Sequence, residues 1–237
     1  IGVLKADSGL CTVELVAAAS NRSCTLTAAD AVKGLQRTAG AFLNFVRTHN
    51  GTGYASLIST NGYANPEFVP WAGIAGTATG PAQHVSGTAP NNGLVVYSGP
   101  AGNKTTVGDG NNWSADASWN PVGVPLSTDD VVIAHNTTVD VAGVANTLKF
   151  TESKTLSGPA KVTLTNGLLF VNGNKTPTIS DTVDVGAVQG QILVDTLGAN
   201  LTVDPTGVIT GSTGLAKFGP GAATLSGPND FTGAVFV

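Results

Sequence analysis

His49, His84 and His135 are the only imidazoles in this 237-residue chain, so a nucleophile activated by histidine would have to be built around one of them. His135 has carboxylates close by in sequence, Asp129 and Asp130, and a Ser-His-Asp arrangement can be drawn there. No G-x-S-x-G elbow or other nucleophile signature accompanies it. His135 reads instead as a strand-end or turn residue, and His49 as the last residue of a helix. Glycoside cleavage needs two carboxyl groups facing one bond, and the acidic residues here are scattered. No catalytic residue is expected. Asp109, Asn111, Asn112 and Asp116 offer oxygens of the kind calcium takes, but without the Glu twelve positions on that an EF-hand loop requires. Turn-forming Asn and Asp explain the same stretch without metal. No cofactor is expected, structural calcium being the one candidate.

Cys11 and Cys24 are the only thiols. A C-x12-C pair with no histidine beside it does not supply the four closely spaced ligands of a structural zinc site. It reads as a disulfide, with two free buried thiols as the alternative. Closing so short a loop contributes roughly 3 kcal/mol in the chain-entropy view, and it would place the protein outside the cytosol.

Charged residues make up 11% of the chain and hydrophobic ones 41%. Few charges, with Gly, Thr, Ala, Asn and Ser in their place, suit long stacked strands and surfaces that associate without desolvating ions. The net charge is −4 and no run of Lys or Arg occurs. Phosphate binding needs clustered basic side chains, so no nucleic-acid partner is expected. No apolar run approaches the roughly 20 residues of a membrane-spanning helix. The chain opens at Ile1 and contains no Met, which reads as removal of a leader. Seven N-x-S/T triplets, at Asn21, Asn50, Asn103, Asn112, Asn136, Asn174 and Asn200, agree with an exposed surface.

The elements that must position these residues fall into two regions, 1–109 and 110–237. In the first, Cys11–Val16 alternates as a strand does. Val32, Leu35, Ala39, Phe42, Leu43 and Val46 recur at steps of three and four, which predicts an amphipathic helix over about 28–49, capped by Thr27 and stopped at Gly51. That helix covers a sheet, or buries Phe42 and Phe45 against a second subunit. Residues 51–109 predict long loops with one or two strands, such as Gly93–Tyr97. From about 130, apolar pairs two apart recur between turns: Val139/Val141, Leu148/Phe150, Val162/Leu164, Val183/Val185, Ile192/Val194, Leu201/Val203 and Val235/Val237. Val183, Ile192 and Leu201 stand nine residues apart. This spacing fits an antiparallel sandwich or a solenoid of short strands.

Residues 214–233, Gly-Leu-Ala-Lys-Phe-Gly-Pro-Gly-Ala-Ala-Thr-Leu-Ser-Gly-Pro-Asn-Asp-Phe-Thr-Gly, closely resemble the autotransporter-associated β-strand repeat. That repeat typically reads G-L-T-K-x-G-x-G-T-L-T-L-S-G-x-N-x-Y-T-G. Asn112-Trp113 through Trp119-Asn120, and Asp129–Ile133, are similar to the opening of such passenger regions. The resemblance implies a right-handed parallel β-helix on a secreted or cell-surface bacterial protein, and it brings no catalytic residues. Leu215, Leu225, Phe231 and Val235 would point into the coil, and the segment from 130 would make roughly four to five rungs.

The expected fold is therefore mainly β: a C-terminal β-solenoid behind an N-terminal α+β region with one amphipathic helix. The expected function is that of a non-enzymatic structural subunit of an extracellular filament, sheath or surface layer. With Val237 as terminus, the uncharged strand Val235-Phe236-Val237 needs a partner, and a second copy of the chain supplies it. The alternative is the passenger of a surface adhesin that binds glycan or protein.

Overall fold

The structure, a computed structural model, describes residues 102–211 and 213–237, with Phe236 by its backbone; of residues 1–101 it describes the backbone of the strands. The chain divides into two compact units, Ile1–Ser98 and Gly99–Val237. The boundary falls before the expected 109/110, because Lys104–Thr106 is already laid along a strand of the second unit.

Among its described residues the first unit has the strands β1 (Leu4–Ala6), β2 (Leu10–Ala17), β3 (Ser23–Ala28), β4 (Leu35–Arg37), β5 (Phe42–His49), β6 (Tyr54–Ser59), β7 (Phe68–Ala75), β8 (Gln83–Ala89) and β9 (Gly93–Val96). Seven form a mixed sheet in the order β2-β5-β7-β8-β9-β6-β3, and β1 pairs with β4. The helix expected over 28–49 is corrected by β4 and β5. Phe42–His49 is dense in aromatic and β-branched types, and it pairs in parallel, residue for residue, with Leu10–Ala17. Tertiary pairing overrides the helical spacing. Residues 51–96 likewise hold four strands rather than one or two; Pro70 and Gly73 inside β7 disguise that strand.

The second unit is a parallel β-solenoid of about five turns. Its strands are β10 (Lys104–Thr106), β11 (Asn111–Asn112), β12 (Trp119–Asn120), β13 (Asp130–Ile133), β14 (Thr137–Thr138), β15 (Gly143–Phe150), β16 (Thr155–Val171), β17 (Thr178–Asp184), β18 (Gly190–Val194), β19 (Asn200–Val203), β20 (Val208–Thr210), β21 (Leu215–Phe218), β22 (Ala222–Leu225) and β23 (Val235–Phe236). Among the described residues the one helical element is a 3-10 turn at Asp116–Ser118.

Three columns of stacked strands make the coil. In the first, Val131, Leu148, Leu169 and Ile192 lie one above another. In the second, Thr137, Leu156, Ile179, Val203 and Leu225 do so. In the third the row is Gly143, Val162, Val183 and Ile209. The nine-residue steps from Val183 to Ile192 to Leu201 are thus successive sides of one turn. β16 passes through all three columns, and Asn166-Gly167 makes a corner within it, Gly167 having φ +64°. Val139 and the apolar pairs from Leu148/Phe150 to Leu201/Val203 are all 0% exposed and form the core; Val141 turns outward.

The first column is apolar on both faces. Leu168, Phe170, Leu193 and Phe218 alternate with the core residues and are also buried. The sequence carries this as uninterrupted apolar runs, Leu168–Val171 and Ile192–Val194. Lys149 lies over the Phe170 ring, its Nζ 5.4 Å from the centroid.

In the first described turn β12 runs antiparallel along β10. There Trp113 and Trp119 join the core cluster at 1% exposure, ring centroids 4.9 Å apart in an edge-to-face pair, and the Trp119 indole Nε1 donates to the Trp113 carbonyl at 3.0 Å. In the last described turn β22 pairs with β19 and β23 with β21.

Candidate functional site

The residues with chemistry in their side chains are held apart by the corners of the coil. The ring Nδ1 of His135 donates to the Thr106 carbonyl at 2.9 Å, while the Thr106 hydroxyl accepts from the amides of Ala134 and His135. Asp129 accepts from the Leu126 amide and the Asn103 side chain. Asp130 accepts from Asn146 and Thr147. Neither carboxylate has His135 as a hydrogen-bond partner. His49 ends β5 and His84 lies in β8; their side chains lie outside the described residues.

The oxygens considered for calcium also have protein partners. Asp109 accepts the Asn136 amide at 2.8 Å and the Lys154 ammonium at 3.0 Å, which lower its pKa in that order. Asp116 accepts the Val124 amide, and Asn111 donates to the carbonyls of Val107 and Gly108. Among the described residues no three His, Cys, Asp or Glu come together as a metal site. The pairing of Cys11 with Cys24, and the contacts of Phe42 and Phe45, lie outside the described residues.

In the last described turn Ala223, Leu225 and Phe231 pack on the core yet stay partly exposed, Val235 is 55% exposed, and Val237 is fully exposed. Leu215, expected to point inward, is 2% exposed. Lys217 stacks on Ile192 in the inward row of the first column. Its ammonium donates to the carbonyls of Gly219 and Gly221, and burial lowers its pKa. A cation thus ends a row of aliphatic side chains.

The outer side of the second column carries a second pattern. Thr155, Thr178, Thr202 and Thr224 stack in register, one per turn. Two residues on, Thr138, Ser157 and Ser180 form a parallel rank. Adjacent strands lie about 4.8 Å apart and alternate residues about 6.7 Å, so the hydroxyls form a regular two-row array. The second rank ends in Asp204, whose carboxylate accepts from the Ser180 and Thr206 hydroxyls and the Thr206 and Gly207 amides. Those hydroxyls above all hold its pKa down at about 2. Spacings of 23, 24 and 22 residues between the four threonines were the signal in sequence for this array.

No family model matches this chain, and no curated protein or solved structure matches it.

Proposed function

We propose that this chain is a structural β-solenoid of an extracellular bacterial filament, sheath or surface layer, joined to further copies of itself by strand addition. The observation that carries this reading is the ladder of short parallel strands stacked in register from β13 through β15, β16 and β18 to β21. An edge strand of such a ladder offers unpaired backbone groups to an incoming strand. Such an edge templates pairing, and a contact between two different surfaces of identical chains repeats into an open filament. The low charge of the chain and the repeat-like segment 214–233 support the same reading.

The experiment is electron microscopy and sedimentation of the full chain across a concentration series, beside Val235→Lys. Filaments or sheets that Val235→Lys abolishes support the reading. Dispersed monomers at every concentration overturn it.

A second reading, a surface adhesin that binds glycan, is favoured by the double rank of hydroxyls on the second column. It expects the monomeric chain to be retained on a glycan array and to lose retention in Thr178→Val/Thr202→Val.

A further inference from the structure

Asp181 stands where a coil of this kind normally places an aliphatic side chain. It lies between Ile179 and Val183 on β17, both 0% exposed, and is itself 3% exposed. One oxygen, Oδ1, accepts the Thr182 amide at 2.7 Å; the other, Oδ2, has no hydrogen-bond partner. The strand register breaks around it. Ser157 pairs with Ser180 and Lys161 with Thr182, so the bulge Gly158–Ala160 faces Asp181 from one side. On the other, Ile179 pairs with Val203 and Thr182 with Val208, which brings the turn 204–207 opposite.

Each charged group on the packed elements has another partner. Lys161 of β16 pairs with Asp184 of β17 at 2.9 Å. Asp204 takes Ser180 and Thr206, and Asp140, in the turn before the bulge, takes the Ser114 hydroxyl and amide. No cation is among the influences on Asp181. Burial dominates and pushes its carboxyl up to about 6 from 3.8, with the Thr182 amide a smaller opposing influence.

An ionised carboxylate buried without a counter-charge is strongly unfavourable, whereas the protonated acid is a neutral group that packs. We propose that Asp181 is a proton-operated latch at this corner, closing the coil tightly when protonated and loosening the adjoining turns when ionised. The sign follows from linkage. The folded state holds the proton more tightly than the unfolded one, so the stabilisation is complete below about 3.8 and is lost as pH rises through about 6. Asp204, with its lowered value, works in the opposite direction and at lower pH.

The test compares denaturant unfolding of the full chain with that of Asp181→Asn from pH 3 to 7.5. The amide stays neutral throughout, so the ratio of the two unfolding constants isolates Asp181. That ratio is expected to change about a hundredfold, tenfold for each unit between the two pKa values, with the wild type relatively weaker at pH 7.5. A ratio constant with pH overturns the proposal. Should Asp181→Asn fail to fold, carboxyl-selective NMR of the wild type reads the same device directly. A midpoint near 6 supports the latch, and a midpoint near 4 overturns it.

Discussion

Gly227 and Asp204 hold one corner of the coil by different means. A Cβ on Gly227 would sit 1.7 Å from the Gly207 carbonyl oxygen, so two successive turns approach through the absence of a side chain. Gly227→Ala is expected to cost more than about 3 kcal/mol in chemical denaturation, because backbone rather than a flexible side chain must move. Gly173→Ala is the control: φ is +76° with open space around the position, so only the left-handed backbone resists, at about 1 kcal/mol. Asp204 accepts hydrogen bonds that its amide analogue only partly replaces. Asp204→Asn should cost about 1–2 kcal/mol at pH 7. The loss should shrink as pH falls from 3.8 toward 2, where the folded wild-type carboxylate also takes up its proton. At this scale the sequence was legible in kind. Asp204-Pro205-Thr206-Gly207 announces a turn by composition, but the Ser180 hydroxyl that reaches Asp204 is a rung away. Asp181 was not singled out, although it stands at the inward parity between Ile179 and Val183. Reading it required knowing that β17 is buried.

Among the elements, the inward rows of the three columns hold the fold together. Leu148, stacked between Val131 and Leu169 and 0% exposed, is the middle of such a row. Leu148→Ala is expected to cost about 3 kcal/mol, measured as a shift in the denaturation midpoint at unchanged slope. Lys217→Leu should act in the other direction. It continues the aliphatic row from Ile192 and removes an ammonium from a half-buried position, so the melting temperature is expected to rise. The period-two pairs made several strands of the second unit readable, Leu148/Phe150, Val162/Leu164, Ile192/Val194 and Leu201/Val203 among them, since alternation is a local property; Val139/Val141 falls outside any strand. The helix expected over 28–49 failed because its evidence was local as well. Three- and four-residue spacing among Leu35, Phe42, Leu43 and Val46 competes with the β preference of Phe42–His49, and partner strand β2 decides the contest. Nothing within the segment says that it will meet such a partner.

For the second unit as a whole, unfolding is expected to be local, turn by turn. Trp113 and Trp119 pack against each other in the first turn of the coil. Trp119→Ala removes a buried aromatic ring and the indole hydrogen bond to Trp113. It should raise hydrogen exchange in β10 and β13 while leaving β19 and β22 unchanged, because each turn of a solenoid contacts only its neighbours. Loss of protection along the full coil would contradict that locality. The choice between sandwich and solenoid lay beyond the sequence pattern, since both bury every second residue; pairing of Leu148 with Leu169 and then Ile192 is a fact about distant segments. The ladders that join the turns have a mechanical meaning. Their hydrogen bonds lie along the coil axis, so a pull on the two ends loads them in series and the turns let go one at a time. Each turn, such as the 23 residues from Leu169 to Ile192, then releases about 80 Å of slack chain. Pulled from its two ends, such a coil is expected to lengthen in nearly equal steps, one turn at a time.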